Sequence, residues 1–96
     1  MAHYTVIKGD TSIYKDGVSV EGCDMSGLPD DFWALQWDGS DGEIEYIGNV
    51  KLNLVVSSES QIEAALGVSL TTIIERRDTR IAEIIVEKAA AEEAEE

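Results

Sequence analysis

A chain of 96 residues, 44% of them hydrophobic, has room for one compact core with at most an appended helix. Its 20 acidic residues against 7 basic ones give a net charge of -13, which repels nucleic-acid phosphates and anionic lipid over the Debye length and so excludes direct binding to either. One cysteine, Cys23, and one histidine, His3, cannot make an internal disulfide or a four-ligand zinc site.

Tyr4-Thr5-Val6-Ile7-Lys8 is rich in residues that suit a pleated, half-buried surface, and Gly9-Asp10 follows as a two-residue turn. Thr11 to Lys15 reads as a second strand. Asp16-Gly17 is the dipeptide of a type I′ turn, and Val18-Ser19-Val20 returns as a third strand, so the chain opens with a short meander. From Glu21 to Asp31 alternation is lost and Gly22, Gly27 and Pro29 mark a loop, which places Cys23 and Met25 under the sheet.

Phe32 to Trp37 restores a period of two, with Trp33, Leu35 and Trp37 on one face; that face is expected to be the core. Asp38 to Gly42 reads as a hairpin loop, and Glu43-Ile44-Glu45-Tyr46 then alternates acid outward with Ile44 and Tyr46 inward. A last strand over 51–56 points Leu52, Leu54 and Val56 one way and closes a β-unit spanning residues 1–56.

Beyond Val56 the period becomes helical. Ser58 with Gln61 three residues on matches a capping box, and Leu66-Gly67 followed by Ser69 predicts a short helix, a break near 67 and a longer helix; the alternative is one continuous helix weakened at Gly67. In the longer helix Ile74 and Ile81 occupy a positions and Leu70 and Ile84 d positions of a heptad seam, with Arg77 also at d. Ile73 and Ile85 widen the stripe beyond a two-stranded coiled-coil seam, which suits a groove or a bundle. Lys88 interrupts it, and the alanine and glutamate run from Ala89 to Glu96 is expected to fray, because acids oppose the helix dipole at that end. The fold class expected is α+β: a small antiparallel β-meander and hairpin unit followed by an amphipathic helical arm over 57–96.

Little in this sequence supports catalysis. No base lies near a candidate nucleophile, since the lone His3 sits in the N-terminal tail, and nothing marks Cys23 as an activated thiol. Asp38, Asp41 and Glu43 could gather calcium, but Ser40 and Gly42 fill the places where a calcium loop wants acidic ligands, so a solvated turn is the better reading. The Asp30-Asp31 pair reads as solvated loop charge. Trp33 and Trp37 could stack a sugar or a base, though a core role suits a small β-unit better. No enzyme activity, cofactor or metal is expected. No stretch approaches the roughly 18 apolar residues of a membrane span, and no basic-then-apolar leader opens the chain, so a protein made in a cytoplasm is expected.

The stretch Trp33-Ala34-Leu35-Gln36-Trp37-Asp38-Gly39-Ser40-Asp41-Gly42-Glu43-Ile44-Glu45 resembles a recurrent ALQW-x-G-x-x-G-x-I-E signature of small proteins encoded beside tail-fibre genes in tailed bacteriophages. The opening Tyr4 to Lys8 strand and the Tyr14 to Val18 hairpin are similar to the start of that family, so the resemblance covers about the first half of the chain. It implies a non-enzymatic tail or tail-fibre associated protein, acting as an assembly chaperone or a minor structural component, in the host cytoplasm during assembly or in the virion tail. The expected partner is a tail or tail-fibre protein, another copy of the chain, or both. Leu70, Ile73, Ile74, Ile81, Ile84 and Ile85 are the expected contact residues, because monomers seldom expose such a stripe. The rival reading is an acidic inhibitor that mimics nucleic acid in a basic host site.

Overall fold

The structure, a computed structural model, describes residues 3–48 and 51–94. Six strands, β1 (Tyr4–Ile7), β2 (Ser12–Lys15), β3 (Val18–Val20), β4 (Phe32–Trp37), β5 (Gly42–Tyr46) and β6 (Leu54–Val56), precede two helices, α1 (Glu59–Leu66) and α2 (Leu70–Ala94). The strands form one sheet in the order β3-β2-β1-β4-β5-β6, with every neighbouring pair antiparallel. Two three-stranded meanders are thus joined at β1 and β4, and the fold is α+β, as its alternating patterns predict.

Pairing registers put Val20, Ile13, Val6, Leu35, Ile44 and Leu54 in a single row across all six strands. This apolar row faces the helices, and all of it except Leu54 is buried. Ile62 and Leu66 of α1, Val68 of the linker, and Leu70 and Ile73 of α2 complete the same cluster. Removing each such side chain from water contributes on the order of 1.5–3 kcal/mol, so the helices are part of the domain. Residue 56 therefore marks a change of secondary structure inside one core: the base of the 57–96 arm packs on the β-unit and its far half projects.

Trp33 is the clearest departure within the sheet. Pairing shifts between Phe32 and Ala34: Phe32 stands opposite Tyr46, whereas Ala34 stands opposite Glu45. The extra residue bulges the strand and reverses its inside and outside positions N-terminal to the bulge. Phe32 is consequently fully buried and Trp33 is 43% exposed, so Trp33 is not a core residue. Its ring rests on the β1–β2 turn, where a Cβ at Gly9 would come within 2.9 Å of Cζ3. That turn occupies four residues rather than the expected two, closed by Thr11 N–H donating to the Lys8 carbonyl at 3.1 Å. Its left-handed residue is Thr11, at φ 51°, and not Gly9. The Thr11 carbonyl accepts from Cys23 N–H at 2.9 Å, so the 21–31 loop holds this unusual conformation in place. Asp16-Gly17, by contrast, takes positive φ at both positions, as a type I′ turn requires.

Leu35, Trp37 and Ile44 are buried and Tyr46 is half-buried against them, as the alternation predicts. Leu52 and Leu54 depart from it. The last strand begins at Leu54; ahead of it Lys51 meets Asp31 at 2.6 Å and lies over the Tyr46 ring. Leu52 precedes the ladder and is exposed, and Leu54, though on the inner face, sits at the sheet's edge and is also exposed.

The helix signals behave locally as read. Ser58 caps α1, its side chain accepting from Gln61 N–H, while the Gln61 side chain reaches back to Ser57 N–H rather than to that of Ser58 itself. Gly67 ends α1 at φ 73° with its N–H on the Glu63 carbonyl, and Ser69 Oγ accepts from Thr72 N–H at 3.1 Å to start α2. Gly67→Ala would force a Cβ into the left-handed region and is expected to cost about 1 kcal/mol, lowering the melting temperature by about 4–8 °C in a thermal scan. A fall below one degree would mean that the two helices do not need this break. Ala89 to Ala94, expected to fray, remains helical, consistent with the high propensity of alanine and glutamate. The expectation for Glu95 and Glu96 lies outside the described residues.

Candidate interaction surface

Helix α2 is 25 residues long, about 37 Å, and only its first half lies on the sheet. Leu70 and Ile73 are buried and Ile74 and Ile81 pack half-buried against the core; from Ala82 to Ala91 every side chain is exposed. The described molecule is accordingly elongated, 53 Å by 28 Å by 20 Å.

Two arginines hold the near half of α2 to the 21–31 loop. Arg76 Nη1 donates to the Ser26 carbonyl at 2.7 Å, and Arg80 Nε to the Glu21 carbonyl at 3.0 Å. Gly22 leaves room for this clasp, since a Cβ there would come within 2.8 Å of Arg80 Nε. Hydrogen bonding to Glu87, with the attraction of Glu87 and then of Glu83 added to it, raises the pKa of the Arg80 guanidinium further. Arg80 is thus a fixed positive charge at the point where the helix leaves the domain.

Beyond this clasp Ile84, Ile85 and Val86 are all exposed, Ile85 by 62% and Val86 by 67%. At 100° per residue, Ile84 and Ile85 straddle the line drawn by Leu70, Ile74 and Ile81, so the stripe that seats α2 on its own sheet runs on after the sheet has ended. Val86 lies on the opposite side of the helix, near Ala82 and Thr79. The heptad pattern could not have found it, because Val86 follows Ile84 and Ile85 in the chain but falls on the other side of the helix from their seam. Of the six residues expected to meet a partner, Leu70 and Ile73 are consumed by the chain's own core, and Ile74 and Ile81 largely so. Ile84 and Ile85 remain free to do so.

The other candidate chemistries are spread over separate places. Trp37 is buried on the inner face while Trp33 lies on the outer side of the bulge, so the two rings form no joint stacking platform. Asp38 Oδ1 accepts from Asp41 N–H at 2.7 Å and Ser40 N–H at 2.9 Å, and these bonds, Asp41's first, hold its carboxyl below the usual carboxylate range. Its oxygen therefore caps a turn. Asp31 is likewise lowered, chiefly by the hydrogen bond from Lys51, and is tied to that lysine rather than to Asp30. Burial pushes the Cys23 thiol up, and its Sγ donates to the Val20 carbonyl at 3.3 Å, an arrangement that keeps it protonated. Among the described residues no three His, Cys, Asp or Glu side chains converge as a metal site, and no helix is long and apolar enough to cross a membrane.

Compared with protein families, with curated proteins and with solved structures, the chain finds no match in any of the three.

Proposed function

We propose that this chain is a non-enzymatic protein that works through protein–protein contacts, with the projecting half of α2 as its contact element. The observation that carries this reading is the continuation of the α2 apolar stripe, as Ile84 and Ile85, past the point where the sheet can cover it. The similarity of Trp33 to Glu45 to small proteins encoded beside tail-fibre genes in tailed bacteriophages supplies the setting. The role is then in tail or tail-fibre assembly, as a chaperone or a minor structural component. The partner is a tail or fibre protein, or a further copy of the chain.

Co-expression with the products of neighbouring tail genes is the test. Capture of a tail or fibre protein that persists in high salt is expected, since apolar contacts are not screened. The second reading, an acidic mimic of nucleic acid, has one observation in its favour. Lys8, Lys51, Arg76, Arg77 and Arg80 are engaged by the chain's own carbonyls and carboxylates, which leaves the acid excess facing solvent. Salt-sensitive capture of a host nucleic-acid enzyme, with no tail protein, would replace the first reading by this one.

A further inference from the structure

The two edge strands of the sheet, β3 and β6, are bordered differently. Edge strands expose unpaired N–H and C=O groups, and natural sheets blunt them with charge, proline, bulges or a covering element. At one edge, β3 is followed by the 21–31 loop that Arg76 and Arg80 clasp to α2. At the other, the run from Leu52 to Ser58 through β6 contains no charged residue and no proline. Leu52 is 93% exposed and Val55 75%, and among the described residues the backbone of Leu54 to Val56 hydrogen-bonds only within the ladder with β5. Beside this edge the small side chains Ala64 and Ala65 of α1 leave a groove of about 340 Å³, floored by Leu54, Val55 and Val56.

We propose that β6 is an acceptor edge for an extended segment of another protein, added as one further strand, in which apolar residues alternate with lysine or arginine. The geometry sets the alternation. Inward side chains of an added strand would enter the groove against Ala64 and Ala65, while outward ones would stand beside Val55. Val55 is paired with Glu43, and the outer row continues from there to Gln36. A long basic side chain on the added strand can reach Glu43 across two strand spacings of about 4.8 Å each. Charge also argues against a second copy as the occupant. Each chain carries -13, and the β6 run has no basic residue to offer in return. This edge lies on a different element from the projecting end of α2, and either surface can stand without the other.

The intact protein titrated with a short peptide of alternating lysine and valine, followed by backbone amide NMR, is the test. Perturbation is expected at Leu54, Val55 and Val56. A peptide of the same charge with a central proline should bind about tenfold more weakly, since it lacks a ladder donor. Val55→Lys, a change at an exposed position that leaves the core intact, should weaken the original peptide by about the same factor. The proposal is overturned if the proline peptide binds as well, if a glutamate–valine peptide binds equally, if perturbation falls away from Leu54 to Val56, or if no peptide binds. Concentration-dependent dimerisation through β6 without any peptide would overturn it in favour of a second copy.

Discussion

Phe32→Ala is expected to remove about 3–5 kcal/mol of stability, and Trp33→Ala on the order of 1 kcal/mol, although tryptophan is the larger residue. Phe32 is fully buried among sheet and helix side chains, so its loss leaves a cavity; Trp33 covers only the Gly9 turn from outside. A domain of this size has about 5–15 kcal/mol in total, so the first change brings it close to unfolding and the second does not. Urea unfolding followed by tryptophan fluorescence, with the buried Trp37 retained in both variants, reads the difference directly. The opposite ranking would show that β4 keeps a strict period of two with Trp33 inside, and that the bulge does not exist.

This reversal shows which parts of the fold a sequence displays. Asp16-Gly17, Asp38, Ser58, Gly67 and Ser69 each act within a few residues of themselves, through a positive φ or a side chain capping a nearby N–H. Such signals could be read where they stand. The bulge at Trp33 depends on which residue of β5 faces Phe32, and so on a pairing made across a hairpin. The ion pair of Lys51 with Asp31, twenty residues earlier in the chain, likewise forms only when distant segments meet. Neither is visible as periodicity. The stripe on α2 is an intermediate case: its spacing announces that one face will be covered, but not whether the cover is the chain's own sheet. Leu70 and Ile73 went to the sheet and Ile84 and Ile85 did not, because the sheet is narrower than the helix is long.

The double variant Ile84→Gln, Ile85→Gln is therefore the decisive change for function. Glutamine keeps helix propensity and adds no charge near the negative end of the helix dipole, so apolar contact is the only property removed. Both positions are exposed, and the melting temperature is expected to hold within the small range of surface substitutions. Association with the partner, or with other copies, should fall by a factor on the order of ten to a hundred, since Ile84 at 37% and Ile85 at 62% exposure together have about one isoleucine's worth of burial, about 1.5–3 kcal/mol, left to lose. Ile73→Gln provides the contrast: it places an amide in the core and should unfold the domain, so its loss of binding would carry no information about an interface. Ile74 and Ile81 fall between the two, half-buried, and changing them would mix the effects. Light scattering for self-association, and co-capture for a tail protein, separate the outcomes. If the double variant stays folded and associates as the native chain does, the projecting helix is not the contact element, and the exposed isoleucines are only the overrun of a helix longer than its sheet.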